Sequence, residues 1–292
     1  MLMYESIQEL TDAAVSAGQK ISGLVLRDQA EQLEKSAEEV YRQMEDSFDV
    51  MCEAVDKGMD RNQRSTSGLT GGEGWKMQQY ADRSGGGLSG SFLSHAMSRG
   101  LAVSGCNASM GKIVAAPTAG SCGILPGCLV SLYRDKGIDK REIVMSIFTA
   151  GAFGIVIAKR ACIAGAQGGC QAECGSAAGM AAAALTELSG GTPQQAADAC
   201  AMAIANQLGL VCDPVAGLVE IPCVKRNAAG IMIAFSSADM ALAGIASEIP
   251  ADECIDAMGE VGHQLPASLR ETGMGGLATT PTGLRLKKKV FG

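Results

Sequence analysis

The chain has 292 residues, of which 47% are hydrophobic, only 4% are aromatic and 38 are glycine. This length fits one large domain or two smaller ones, and the apolar content is enough for a sizeable core. The net charge of −7 at pH 7, without a basic patch that interleaves aromatic residues, argues against nucleic acid as a partner.

The N-terminal residues 1–60 are polar, charged and helical in pattern. Between residues 28 and 57, apolar side chains recur in steps of three and four, which predicts a single helix face. The first ten residues include Glu5 and Glu9 and lack an apolar run, so no signal peptide is expected. Residues 58–90 are rich in glycine and predict a long loop.

Beyond residue 90, short glycine-rich loops alternate with alanine-rich stretches. Thr192 with Gln195 predicts the capped start of one helix, and Pro250 predicts the start of another. Sustained apolar–polar alternation is absent and β-branched residues are sparse, which favours an all-α fold. We therefore predict an all-α fold in which an N-terminal helical segment (1–60) is continuous with a single helical domain with glycine-rich loops (61–292).

Two apolar stretches, residues 143–158 and 228–246, resemble membrane-spanning helices in composition. The first is shorter than the ~20 residues that a span needs, and the second contains Asp239. Both are predicted to be buried helices. The sequence thus predicts a soluble, cytoplasmic protein with no membrane partner.

Eleven cysteines are many for such a chain. A reducing compartment disfavours disulfides, so surplus cysteines indicate either metal binding or core packing. Cys52, Cys200 and Cys254 fall on apolar helix faces, where packing is the preferred interpretation. Packing is also favoured, but less clearly, for a further group: Cys106, Cys122, Cys128, Cys162 and Cys174.

The remaining three cysteines, Cys170, Cys212 and Cys223, lie in stretches of small residues punctuated by glycine or proline. Such stretches allow thiolates to converge on a metal cluster. No CxxC pair is present, which argues against a zinc ribbon and a ferredoxin-type cluster. Spacing alone leaves the choice between cluster ligands and packing open, because dispersed ligands carry no local signature.

Four long strings are more specific: NASMGKIVAAPTAGSCGILPG (107–127), GAQGGCQAECGSAAGMA (165–181), CDPVAGLVEIPCVKRNAAG (212–230) and LPASLRETGMGGLATTPTG (265–283). Through them the sequence resembles the α chain of bacterial iron–sulfur L-serine dehydratases, over nearly its whole length. The resemblance implies a largely helical lyase of amino-acid catabolism and gluconeogenesis. Such an enzyme uses a [4Fe–4S] cluster, and no pyridoxal phosphate, to convert L-serine to pyruvate and ammonia.

The family's ligand strings map onto Cys170, Cys212 and Cys223, and Cys174 is not at a ligand position. Three ligands on a cluster of four irons leave one iron open, and an open iron can act as a Lewis acid on the substrate hydroxyl. Arg226 follows the third cysteine closely and, together with Asn227, is predicted to hydrogen-bond cluster sulfides or the substrate carboxylate.

Asn107, Ser109 and Thr118 lie in the longest string and are predicted to bind the substrate. For Asn107 and Ser109 the alternative is that they cap a helix beginning near Met110. Arg270 and Glu271 have a similar supporting role or form a structural ion pair.

The resemblance also implies a partner. Single-chain relatives carry an SSSHT-type histidine motif in an additional domain, which this sequence lacks; its histidines are His95 and His263. The chain is therefore expected to be the α subunit of a hetero-oligomer, with the catalytic base supplied by the β subunit. Lys112 would serve as a base only if burial strongly lowered its pKa.

Three alternatives stay open at this point. An L-cysteine desulfidase would use a similar scaffold and eliminate sulfide. A pyridoxal-phosphate deaminase would use the glycine-rich loop 120–127 for phosphate and Lys112 for a Schiff base. A non-catalytic iron–sulfur protein would give its cluster a fourth ligand, for instance Cys174.

Overall fold

The computed structural model describes residues 3–292, and in this range the chain is all helical, with no strand. The predicted all-α class is thus confirmed for the described residues. The helices are α1 (Ile7–Ser16), α2 (Ile21–Gln32), α3 (Ala37–Gly58), α4 (Glu73–Ala81), α5 (Gly90–Ala108), α6 (Ile124–Lys136), α7 (Lys140–Arg160), α8 (Gly165–Gly168), α9 (Ser176–Leu188), α10 (Pro193–Ala205), α11 (Cys223–Leu242), α12 (Ala251–Gln264) and α13 (Pro281–Phe291).

The N-terminal segment contains three helices, and residues 1 and 2 of it lie outside the described range. The prediction of one continuous helix face over residues 28–57 is wrong, because the helix breaks at Glu34, whose φ is +53°. Ser36 then begins α3 with a capping box, in which its hydroxyl accepts from the Glu39 amide. The sequence does not reveal this break, because apolar residues continue to recur every three or four positions across the turn.

The glycine-rich stretch 58–90 is not a continuous loop, since α4 forms within it. This short helix packs tightly on α5: a Cβ at Gly74 would lie 2.8 Å from the Cα of Ala102. The same surface of α5 receives α3, where a Cβ at Gly58 would lie 1.8 Å from the Ala102 carbonyl oxygen. Glycine in this stretch therefore serves close helix packing as well as turns.

The centre of the core is α9, in which every residue except Leu188 is buried. Helices α6, α7, α10 and α11 pack around it. Its alanines and Gly179 allow close approach; a Cβ at Gly179 would lie 3.0 Å from the Cys200 sulfur on α10. The low aromatic content therefore reflects helices packed through small side chains.

Helix α7 extends beyond the apolar run of the sequence, to 21 residues. It is long and apolar enough to cross a membrane by length and composition alone, yet 67% of its most apolar window is buried inside the protein. It lies between α2, α3 and α9, as a core helix does. The predicted helix starts at Thr192, with its capping box to Gln195, and after Pro250 are both present.

Candidate active site

Three irregular segments place the predicted ligand cysteines near one another, and we call the region around their sulfur atoms the thiol pocket. Cys170 lies between α8 and a π-helical turn at Gln171–Gly175, Cys212 lies in the loop after α10, and Cys223 is the first residue of α11. The Gln171 amide donates to the Leu210 carbonyl at 2.9 Å, which joins the first segment to the second.

The fourth long string of the sequence holds Cys212 from the other side. The Cys212 amide donates to the Leu269 carbonyl, and the Glu271 amide donates to the Cys212 carbonyl, each at 2.8 Å. The result is an isolated parallel bridge between Cys212 and Arg270. Glu271 takes a φ of +63° there, in the left-handed region that non-glycine residues rarely adopt.

Arg226, on the helix that begins with Cys223, binds the loop that contains Cys212. Its Nη1 donates to the Val211 carbonyl and its Nη2 donates to Asp213 Oδ1, both at 2.8 Å. The guanidinium also lies near the Cys170 thiol. The pKa of that thiol is lowered, chiefly by its hydrogen bond with Cys174 and further by the Arg226 charge. The arginine predicted to support the cluster thus lies within the pocket.

The three thiols are buried and act on one another electrostatically. Burial, with the Cys170 charge adding to it, raises the pKa of Cys223 to about 12. The same causes raise the pKa of Cys212 above its usual range. Thiolates are therefore costly here unless a cation compensates their charge.

These residues fit an iron–sulfur cluster. Soft thiolates are the ligands such clusters take, and the irons would offset the mutual repulsion of buried thiolates. Within residues 3–292, no three His, Cys, Asp or Glu side chains lie close enough to hold a single metal ion. A cubane does not require that, because its three cysteines bind three different irons. Gly165 keeps the Cys212 sulfur uncovered on one side, since a Cβ there would lie 3.1 Å from it.

Cys174 is also buried, and its sulfur lies 3.4 Å from that of Cys170. Its pKa is raised, first by the hydrogen bond with Cys170 and then by burial. It thus serves as the protonated neighbour of the predicted ligand. Cys200 and Cys254, predicted to pack in the core, are buried, and Cys52 is partly buried against the core.

Glu173 lies in the same pocket and was not singled out from the sequence. Its carboxylate accepts a hydrogen bond from Thr118 Oγ1 at 2.8 Å. Burial raises the pKa of Glu173, the charge of Glu271 adds to that rise, and the Thr118 bond opposes it. The one signal in the sequence was an acidic residue amid the small, apolar residues of the string that contains Cys170.

Of the residues predicted to bind substrate, only Thr118 is joined to a residue of the thiol pocket, and all three side chains already make hydrogen bonds within the protein. Asn107 Nδ2 donates to the Ala119 carbonyl at 3.2 Å, and the Thr118 hydroxyl holds Glu173. Ser109 Oγ donates at 3.0 Å to the carbonyls of Gly105 and Cys106. The alternative in which Asn107 and Ser109 cap a helix starting near Met110 is wrong, because α5 ends at this point.

Asn227 joins the helix of Cys223 to the longest string. Its Oδ1 accepts from the Gly123 amide at 2.8 Å, and its Nδ2 donates to the carbonyls of Gly120 and Cys223 at 2.8 and 3.0 Å. Both amide protons are used, so Asn227 positions backbone rather than donating to a cluster sulfide. The Gly123 amide, which donates to Asn227, is therefore not free to bind phosphate as the pyridoxal-phosphate alternative requires. Lys112, the Schiff-base residue of that alternative, is exposed.

Neither histidine of this chain joins the pocket. His95 Nε2 lies 2.8 Å from Asp82 Oδ1, next to the ion pair of Arg99 with Asp135. His263 is exposed in the last turn of α12. Arg270 donates weakly to the Gln167 carbonyl at 3.4 Å.

Comparison with known proteins shows the family to which the chain belongs. The profile of the family described as "Serine dehydratase alpha chain" matches residues 16–278. The chain is 51% identical over 290 residues to the probable L-serine dehydratase, alpha chain, of Bacillus subtilis, covering 99% of this chain and 96% of that one. It is 45% identical over 286 residues to the L-serine dehydratase, alpha chain, of Peptoniphilus asaccharolyticus, covering 98% of each. The longer L-serine dehydratase of Streptomyces coelicolor is 36% identical over 284 residues, which cover 94% of this chain and 60% of that protein.

Proposed function

Because this chain belongs to the family of serine dehydratase alpha chains, we propose that it is the α subunit of an L-serine dehydratase, a lyase that converts L-serine to pyruvate and ammonia. The observation that carries the proposal is the convergence of three buried thiols beside the glycine-rich string 107–127. Relatives of similar length that are named L-serine dehydratase alpha chains support it.

We assign a [4Fe–4S] cluster to Cys170, Cys212 and Cys223. When bound, it supplies a Lewis acid at the iron that has no protein ligand, which weakens the bond from the substrate's β-carbon to its hydroxyl. Arg226 holds the Cys212 loop against the Cys223 helix and places a positive charge near the Cys170 sulfur. That charge favours the thiolate form that a ligand needs.

The protein's other task is to hold a three-carbon substrate away from water. Thr118 and Asn227 fix the string 107–127 against the thiol pocket through bonds to Glu173 and Gly123. Asn107 and Ser109 shape the beginning of this string. We propose that they position the backbone that lines the substrate site.

The reaction also needs a base for the α-proton. His95 and His263, the neutral-pH bases of this chain, are engaged or exposed elsewhere. We therefore propose that a β subunit completes the site and supplies the base, as the α-chain names of the relatives suggest. We also propose a cytoplasmic location, on the basis of the many free cysteines.

Anaerobic co-expression of the chain with a neighbouring β-type chain tests this function. We expect pyruvate from L-serine when both chains are present, and a brown protein containing iron and sulfide. L-Cysteine, assayed in parallel, distinguishes a desulfidase. A yellow, borohydride-sensitive preparation, or sulfide release from cysteine without pyruvate formation from serine, would contradict the proposal.

A further inference from the structure

Glu173 is a buried carboxylate without a cation. It is 8% exposed, and Thr118 Oγ1 donates to its Oε1 at 2.8 Å. Its other oxygen, Oε2, accepts no hydrogen bond from residues 3–292, and no lysine, arginine or histidine of that range forms an ion pair with it. Oε2 keeps some contact with solvent, because it is not one of the fully buried atoms that lack a partner. A mostly buried carboxylate with an open oxygen is stabilised by a cation that approaches that oxygen.

Most of the other buried carboxylates that the structure describes have more partners than Glu173. Asp213 pairs with Arg226 and also accepts from the Leu277 amide. Three others have two partners each: Asp28 has Tyr4 and Arg27, Glu187 has Thr149 and the Ser22 amide, and Glu220 has Ser67 and Thr70. Asp198 resembles Glu173, since it accepts one hydrogen bond, from Gln194, and forms no ion pair with the described residues. Glu173 differs from Asp198 in lying close to the Cys212 sulfur.

Gly120 and Gly165 lie on either side of the Glu173 carboxylate. A Cβ at Gly120 would lie 2.9 Å from Oε1, and a Cβ at Gly165 would lie 2.7 Å from Oε2. That same Gly165 position is 3.1 Å from the Cys212 sulfur. Oε2 therefore borders the thiol pocket, and no side chain stands on these two glycines to cover it.

We propose that Glu173 binds the α-ammonium group of the substrate and thereby selects amino acids over hydroxy acids that lack this group. This assignment rests on the proposed function. L-Serine carries a carboxylate, a β-hydroxyl and an ammonium, and the ammonium is the only one of the three that has a positive charge. The ammonium supplies the positive charge that would pair with the Glu173 carboxylate, and its three N–H groups can donate to Oε2, which has no other donor among the described residues.

The surroundings of the carboxylate agree with this role. Burial and the Glu271 charge raise the pKa of Glu173, because both disfavour its charged form, and the Thr118 hydrogen bond opposes that rise. The hydrogen bond from Thr118 holds Oε1 in place and thereby also sets the position of Oε2. Thr118 is thus a positioning residue, and Glu173 is the group that touches the substrate.

The test compares wild type, Glu173→Gln and Glu187→Gln in the anaerobic complex with the β chain. Glutamine keeps the shape and the acceptor for Thr118 but removes the charge. We expect Glu173→Gln to raise KM for L-serine about ten- to a hundredfold, with kcat falling less than KM rises. By calorimetry, L-alanine should bind more weakly by a similar factor. Binding of 3-hydroxypropionate, which has the carboxylate and the hydroxyl but no ammonium, should be unchanged.

Glu187→Gln removes a buried charge outside the thiol pocket and should leave the affinities for L-alanine and 3-hydroxypropionate unchanged. Equal weakening of L-alanine and 3-hydroxypropionate by Glu173→Gln would overturn the proposal. So would loss of kcat at constant KM, which would assign Glu173 to proton transfer, or loss of iron, which would assign it to assembly of the pocket. If wild type failed to act on L-serine, the proposed function would fail, while the calorimetric comparison would still report on Glu173.

Discussion

Asp213 Oδ1 lies 2.8 Å from Arg226 Nη2, and this ion pair joins the loop that carries Cys212 to the helix that begins with Cys223. Both partners are largely buried, with the Asp213 side chain only 4% exposed. Asp213 also accepts from the Leu277 amide at 2.8 Å. The spacing of two cysteines thus depends on one guanidinium.

Arg226→Lys is expected to lower the iron content of the anaerobically purified chain. Lysine keeps the charge but cannot donate to Val211 and Asp213 in the fixed fork of a guanidinium. Substituting a residue that orients metal ligands typically weakens metal binding about ten- to a hundredfold. Iron and sulfide analysis measures this. Arg134→Lys, at the exposed pair with Asp56, is the control, and equal iron loss in both would argue against the role of Arg226.

Cys212→Ser is expected to lose both iron and activity while its helical circular dichroism stays the same. Cys174→Ser, by contrast, should retain iron if three cysteines hold the cluster. Absorbance of the brown protein and iron analysis distinguish the two variants. Full retention of iron by Cys212→Ser would remove that residue from the site, and loss of iron from Cys174→Ser would indicate a fourth ligand.

Gly165→Ala is expected to impair cluster binding, because its methyl group would lie 2.7 Å from Glu173 Oε2 and 3.1 Å from the Cys212 sulfur. The matched control is Gly151→Ala in α7, where a Cβ meets no atom within 4 Å. That change should stabilise the chain by about 0.5–1 kcal/mol, since alanine loses less entropy in a helix. Iron content and urea unfolding measure the two effects, and normal iron in Gly165→Ala would contradict the packing argument.

The cluster-free chain is expected to lose stability as pH rises above about 9. Burial raises the pKa of Cys122 to about 12, whereas an unfolded thiol has a pKa near 8.5. Between these values the native state binds more protons than the unfolded state, so the free energy of unfolding falls with rising pH. The stabilising contribution is complete below the unfolded pKa and is lost as pH approaches the folded one.

Cys122→Ala should therefore reduce the slope of unfolding free energy against pH by about 1.4 kcal/mol per pH unit. Urea unfolding in the presence of a reductant, at several pH values from 8 to about 11, measures this slope. Val130→Ala, at a buried position of α6 without an ionisable group, should shift stability equally at every pH. An unchanged slope in Cys122→Ala would show that this thiol does not titrate with unfolding.

The sequence was sufficient for the helical class, because alanine-rich stretches and capped starts such as Thr192 are local features. The long strings that resemble one family also indicated Cys170, Cys212 and Cys223, whose thiols are buried near one another; their role as cluster ligands stays a prediction. The sequence missed the break at Glu34, because the apolar period continues across the turn. It also missed the placement of Glu173 beside the Cys212 sulfur, which depends on a partner 55 positions away and on glycines from two other segments.

The bridge between Cys212 and Arg270 has a consequence for biosynthesis. A ribosome-bound chain that has not yet emerged past residue 271 lacks the backbone partners that fix the second thiol. The pocket can therefore take its final shape only after residues 269–271 have left the ribosome. We expect delivery of iron and sulfide to follow that point, and a chain truncated before residue 269 to lack the backbone partners that hold Cys212.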